Sequence, residues 1–121
     1  MTTKVLIVED ELNITESLTF LLSREGFEVT SCADGAVAIQ SVDDTAPDVL
    51  ILDVMLPGLD GFEIIRRLRA DGEHRNLPIL VLSAKGQRRD RMTAETSGAD
   101  MFMPKPFSNS EVVDAVKKLA G

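Results

Sequence analysis

The chain of 121 residues has no tryptophan, no tyrosine, one cysteine and one histidine. Without Trp or Tyr it cannot build an aromatic-rich recognition surface. The single cysteine, Cys32, excludes a disulfide framework and a Cys-rich metal site. Its expected place is that of a small buried hydrophobe. The single histidine, His74, falls in the polar loop Asp71-Gly72-Glu73-His74-Arg75-Asn76 with no partner pattern, so a solvated ring is expected. No apolar run approaches the roughly 18 residues that span a bilayer. The opening Met1-Thr2-Thr3-Lys4 has no signal-peptide pattern, which makes the cytoplasm the expected location. Positive charge is also scarce: 13 Lys and Arg stand against 20 Asp and Glu, a net charge of −7. That argues against direct binding to nucleic acid, where phosphates must be neutralised, and against anionic membrane surfaces. Linkers, repeats and low-complexity stretches are absent, and the length fits one domain over residues 1–121 with no output domain.

What is present is an alternation of short apolar runs and amphipathic segments. Val49-Leu50-Ile51-Leu52 runs unbroken into Asp53, and Lys4-Val5-Leu6-Ile7-Val8 into Glu9-Asp10-Glu11. Leu77-Pro78-Ile79-Leu80-Val81-Leu82 runs into Ser83. Runs that do not alternate read as strands buried on both faces of a parallel sheet. The segment 27–32 alternates more and is expected near an edge, and 99–103 gives a short last strand. Between them lie helical patterns. Asn13 with Glu16 suggests a capping box ahead of Ile14, Leu18, Leu21 and Leu22, with Gly26 as the left-handed stop. Ala38, Ile39 and Val42 mark a second helix that stops before Pro47. Phe62, Ile65 and Leu68 mark a third, with Arg66, Arg67 and Arg69 expected outward. Residues 87–97 form the poorest helix, closed by Gly98. Met92 and Ala94 are almost its only apolar residues, so it should be weakly held. Ser108 with Glu111 caps the last helix, whose face is Val112, Val113, Val116 and Leu119.

Five such alternations specify an α/β fold, a parallel sheet with helices on both faces. The expected topology is flavodoxin-like, a (βα)5 three-layer sandwich with strand order 2-1-3-4-5 and a crevice between the first and third strands. That order gathers Glu9, Asp10, Asp53 and Ser83 at the strand ends, with Lys105 after the fifth strand. Two unit charges about 4 Å apart interact by about 4 kcal/mol at an effective dielectric near 20. Three clustered carboxylates therefore need cations. Lys105 supplies one charge and a hard divalent ion such as Mg²⁺ could supply two more. A pocket so equipped can receive a phosphoryl group.

The whole arrangement resembles the response-regulator receiver domain of two-component signalling, in its single-domain, chemotaxis-like form. The resemblance covers residues 4 to 120. It rests on Glu9-Asp10, Asp53, Pro57-Gly58-Leu59-Asp60-Gly61, Ser83-Ala84, Gly98-Ala99-Asp100 and Lys105-Pro106-Phe107. It implies that Asp53 accepts a phosphoryl group from a phosphohistidine on a sensor kinase or histidine phosphotransfer protein. Asp10, Asp53 and the Met55 carbonyl would hold Mg²⁺, with Glu9 assisting through water. Ser83 and Lys105 would bind phosphoryl oxygens. Ser83 and Phe102 would switch a face made of the fourth helix, fifth strand and fifth helix, which controls a downstream protein. The resemblance also implies a signalling domain that catalyses its own phosphorylation and dephosphorylation rather than a conventional enzyme, and a cis Lys105-Pro106 bond. Of the charge network that builds dimers in DNA-binding members, Arg91, Asp100 and Glu111 match, whereas Thr96, Met101 and Ala115 do not. Ser83 replaces the commoner Thr. Met55 and Lys85 flank the site where they should tune phosphoryl lifetime.

Plainer readings stand beside these. Asp60 suits a helix cap, Phe102 serves equally well as a core aromatic, Arg88, Arg89 and Arg91 suit a solvated face, and Met92, Met101 and Met103 suit core filling. As a whole, the alternative function is a phosphorylation-independent protein-binding scaffold. A Mg²⁺-dependent phosphohydrolase is disfavoured by Met55, which stands two residues after Asp53 where that chemistry needs a second acid.

Overall fold

The computed structural model describes residues 2–54, 56, 60–83 and 88–121, the last segment without the side chains of 88–91. Five strands alternate with five helices: β1 (Lys4–Val8), α1 (Leu12–Arg24), β2 (Glu28–Cys32), α2 (Ala38–Thr45), β3 (Val49–Asp53), α3 (Gly61–Ala70), β4 (Ile79–Ser83), α4 (Arg88–Ser97), β5 (Met101–Pro104) and α5 (Asn109–Ala120). The sheet is parallel throughout, in the expected order β2-β1-β3-β4-β5.

The pleat sorts the apolar runs into two cores. Successive strand residues point to opposite faces. Leu6, Val8, Leu50, Leu52, Ile79 and Val81 therefore pack under α2, α3 and α4 with Val42, Ile64, Ile65, Leu68 and Ala94. Val5, Ile7, Val49, Ile51, Leu80 and Leu82 pack under α1 and α5 with Leu18, Leu22, Val112 and Val116. All five residues of β3 and of β4 are buried, which is why neither sequence run alternates. Each fully buried Leu or Ile contributes about 1.5–3 kcal/mol relative to exposure. β2 lies at the edge, as its more alternating sequence led one to expect, and none of its residues is fully buried.

Several local expectations need correction. α1 starts at Leu12 and its N-cap is Glu11, not Asn13, and no side chain caps it. The Glu11 carboxylate lies 3.6 Å from the Lys105 ammonium instead. α2 is entered through a short 3-10 turn, Gly35–Val37, capped by the Asp34 carboxylate, and it ends at Ala46 in a left-handed conformation (φ 45°). β4 begins at Ile79, after Leu77 and Pro78, and β5 at Met101. Met92 is 60% exposed, so it does not fill the core; Ala94 and Ser97 are the buried side chains of α4 among the described residues. Cys32 is half-buried against the α2–α4 core. Met103 is buried and Met101 half-buried. The Ser108–Glu111 capping box is formed: Glu111 N–H donates to Ser108 Oγ at 3.1 Å, and Ser108 N–H to Glu111 Oε1 at 2.9 Å.

Candidate functional site

The pairing register fixes which side chains meet. Val8 lies beside Leu52, Asp53 beside Leu82, and Ser83 beside Pro104. The next residues, Glu9 and Lys105, therefore join Asp53 and Ser83 at the carboxyl edge of the sheet. Glu9 and Asp53 are each 2% exposed and Ser83 is 1% exposed, whereas Asp10 lies at the surface. Lys105 is tied to β4 through its backbone, whose N–H donates to the Ser83 carbonyl at 2.7 Å, and the Lys105-Pro106 peptide is cis. Its ammonium then reaches three acids: Glu9 Oε1 at 2.8 Å, Asp53 Oδ2 at 3.1 Å and Glu11 Oε1 at 3.6 Å.

The far wall of the site depends on a glycine. A Cβ at Gly61 would lie 2.7 Å from Val54 Cα and 2.9 Å from the Asp53 carbonyl, so only glycine lets α3 start this close to the end of β3. Asp60 caps that helix by accepting from Phe62 N–H at 2.9 Å, which is the plainer of its two sequence readings. Met55, Pro57, Gly58, Leu59, Ala84 and Lys85 lie outside the described residues.

The electrostatics are unbalanced. Carboxylate oxygens of Glu9, Asp10 and Asp53 lie within 4.8 Å of one another. Burial, with the neighbouring Asp53 carboxyl adding to it, pushes the Glu9 carboxyl up to about 7; the Lys105 bond and the Glu11 N–H, which donates to Glu9 Oε2 at 3.1 Å, offset only part of this. Burial pulls the Lys105 ammonium down, but the bond to Glu9 and the field of Asp53 outweigh it and its pKa ends above the usual value. Glu9 Oε1 is buried and lacks a well-aligned hydrogen bond, although Lys105 Nζ is near. An all-oxygen donor set, an excess of acids over cations and a buried carboxylate oxygen without a well-aligned bond suit a hard divalent ion such as Mg²⁺.

The sequence profile of the response regulator receiver domain matches residues 5–117. The chain belongs to the response regulator receiver domain family. Among its relatives, this receiver is 40% identical over 119 residues to response regulator MprA of Mycobacterium ulcerans, covering 98% of the chain and 50% of that protein. It is 44% identical to transcriptional regulatory protein TrcR of Mycobacterium tuberculosis, covering 96% and 44%. It is 41% identical to the phosphate regulon regulator PhoB of Rhizobium meliloti, covering 98% and 52%. The receiver thus spans about half the length of the curated relatives it matches. Solved structures agree: a response-regulator structure from Chloroflexus aurantiacus superposes with a TM-score of 0.95 at 36% identity over 99% of this chain and 98% of that one. Chemotaxis response regulator CheY4 of Vibrio cholerae gives 0.92 at 28% identity over 98% and 99%.

Two groups of residues sit differently from their sequence reading. Arg69 is not outward: its side chain is 18% exposed and turned under the opposite end of the sheet, where it pairs with Asp100 at 2.9 Å. His74 is not solvated either. Its side chain is 13% exposed, and Nε2 lies 2.7 Å from Asp43 Oδ1 on α2. Of the three residues matching the dimer network of DNA-binding members, Asp100 is engaged by Arg69 and Glu111 by the Ser108 cap, and the Arg91 side chain is outside the described residues. Phe102 on β5 is half-buried and packs against the α2–α4 core, beside Ala94 and Ala99. Glu11 is the site residue that sequence reasoning left without a role. The signal was its place as the third acid in a row, one residue before a helix.

Proposed function

We propose that this receiver accepts a phosphoryl group on Asp53 and uses it to change the surface it offers a partner protein. The observation that carries the reading is Lys105, held between the buried carboxyls of Glu9 and Asp53 at the carboxyl edge of the sheet. A lysine facing more acids than it can neutralise is set to receive a cation and then an anion. Asp10, Asp53 and the Met55 carbonyl would hold Mg²⁺, with Glu9 assisting through water, and the ion would supply charge neutralisation to the incoming phosphoryl oxygens. Asp53 supplies the nucleophile. One of its carboxylate oxygens forms a bond to phosphorus while the bond from phosphorus to the donor's imidazole nitrogen breaks, and the electron pair leaves with that nitrogen. Lys105 gives up part of its contact with Asp53 to pair with a phosphoryl oxygen. Ser83 donates a hydrogen bond to another oxygen and draws its loop inward.

The added phosphoryl charge engages new donors and biases a pre-existing equilibrium. Moving such an equilibrium from 1:99 to 99:1 takes about 5.5 kcal/mol. Charge-assisted hydrogen bonds at about 1.5–3 kcal/mol each from Ser83 and Lys105 are of that order. The face that responds is α4, β5 with Phe102, and α5, and the donor is a sensor histidine kinase or histidine phosphotransfer protein of the cytoplasm. Among the described residues no helix is long and apolar enough to cross a membrane. The test is intact mass after incubation with acetyl phosphate and Mg²⁺. One added phosphoryl group is expected, absent from Asp53→Asn and absent with EDTA. No adduct, together with no binding of beryllofluoride, would move the weight to a phosphorylation-independent scaffold.

A further inference from the structure

α2 runs toward the start of β3, and the loop after α3 runs toward the start of β4. The last turn of α2 and residues 71–77 therefore meet at the amino edge of the sheet, opposite Asp53. There Asp43, Glu73 and His74 offer carboxylate and imidazole atoms that all lie within 4.8 Å of one another. His74 Nε2 is 2.7 Å from Asp43 Oδ1 and 3.9 Å from Asp71 Oδ2. The loop that carries the ring is fixed by its backbone. His74 N–H donates to the Asp71 carbonyl at 3.1 Å, and the His74 carbonyl accepts Leu77 N–H at 3.2 Å and Arg69 Nη1 at 3.1 Å. Asp71 Oδ1 accepts Glu73 N–H at 3.0 Å, which leaves Oδ2 for the imidazole side. The charge here is one-sided. Three carboxylates gather around one imidazole, and among the described residues no lysine or arginine pairs with Asp43, Asp71 or Glu73. Asp43 also stands in the last turn of α2, which has no basic residue. The carboxyl end of a helix favours cations, so an acid placed there adds to the imbalance.

We propose that Asp43, Glu73 and His74 form a second metal site, for a divalent transition ion of the zinc class, which staples α2 to the loop before β4. The donor chemistry selects the ion. Mg²⁺ and Ca²⁺ take oxygen ligands, whereas an imidazole nitrogen beside carboxylates suits zinc and its neighbours. The two edges of the sheet thus differ in kind: oxygen alone at Glu9, Asp10 and Asp53, nitrogen with oxygen at Asp43, Glu73 and His74. The ion takes the place of the direct His74–Asp43 contact, and Asp71 Oδ2 is at hand for the fourth position of a tetrahedron. The site does not depend on the reading of Asp53 as phosphoacceptor.

Zinc titration of the chain, prepared without a histidine tag and in excess Mg²⁺, tests this. His74 is the single histidine, so its ring protons give one identifiable set of NMR signals. Zinc is expected to bind and to shift those signals. Its affinity should fall below pH about 6.5, as protons compete for the ring. His74→Gln and Asp43→Asn should each weaken zinc binding by at least about tenfold, the low end of what losing even an outer partner of a metal costs. Asp53→Asn should leave it unchanged. If His74→Gln does not fold, Asp43→Asn alone decides, since it leaves the loop that carries the ring intact. Binding only at millimolar zinc, binding that leaves the His74 signals unmoved, or equal affinity in the native chain and both variants overturns the site. Loss of binding in Asp53→Asn alone puts the zinc at the carboxyl edge and overturns it as well.

Discussion

Two cations hold the two ends of the sheet, and they are balanced in opposite ways. At the carboxyl end Lys105 faces Glu9, Asp53 and Glu11, three acids for one ammonium. At the amino end Arg69 donates to four backbone carbonyls and to one carboxylate, Asp100. The first cluster keeps an excess of negative charge and a buried carboxylate oxygen without a well-aligned bond. The second pairs its one cation with Asp100 and spends the remaining donors on backbone carbonyls. A saturated hub is what a fixed joint needs. An unsaturated one is what a site needs if a cation and a phosphoryl group are to add to it.

Breaking the saturated hub should cost the most stability. Arg69→Met removes the guanidinium that serves the Gly98, Arg75 and Leu77 carbonyls and faces Asp100, and is expected to lower the unfolding free energy by about 2–4 kcal/mol in urea titrations. The unsaturated end should show itself next through pH. Glu9 titrates at about 7 in the folded chain against an ordinary 4.5. A carboxyl raised on folding contributes stability that is fully present below about 4.5 and is lost as pH rises through about 7. Without divalent cation, the native chain should therefore lose up to about 3 kcal/mol relative to Glu9→Gln between those limits. Glu25, Glu63 and Glu111 have depressed pKa values, from Lys117, from Arg67 with Arg66, and from the Ser108 N–H; their contributions run the other way and cancel in that comparison.

Removing one acid from each hub sharpens the contrast further, because the signs should differ. Asp53→Asn relieves repulsion and desolvation while keeping an acceptor for Lys105, and should stabilise by about 1–3 kcal/mol. Asp100→Asn keeps its bond from Ile79 N–H but loses the charge facing Arg69, and should destabilise by about 1 kcal/mol. The smallest effect is expected at Glu11. Its side chain is 60% exposed and 3.6 Å from Lys105, so Glu11→Gln should change the unfolding free energy by less than about 0.5 kcal/mol.

The two ends were also unequally legible in the sequence. Strand ends announce themselves, because buried parallel strands are unbroken apolar runs and the polar residue that stops each run is already at the sheet edge. Asp53, Ser83, Glu9 and Lys105 could be collected that way once the strand order was fixed. Arg69 could not. It sits among Arg66 and Arg67 on a helix that shows three basic residues in four positions, and an arginine can lay its stem along apolar surface and still bury its head. Most of its partners are backbone carbonyls, which carry no residue identity. His74 was misread for a similar reason, since its partner Asp43 lies 31 residues away on another helix. The start of α1 was missed because Asn13 and Glu16 have the spacing of a capping box, whereas the helix begins at Leu12 and no side chain caps it.

The most direct measurement is the unfolding free energy of the native chain and of Asp53→Asn with and without Mg²⁺ at neutral pH. If the carboxyl-end cluster is short of positive charge, Mg²⁺ at about ten times its Kd should add about 1.4 kcal/mol to the native chain and clearly less to Asp53→Asn. Equal stability of the native chain with and without Mg²⁺ would contradict the reading of this end as an unsaturated site.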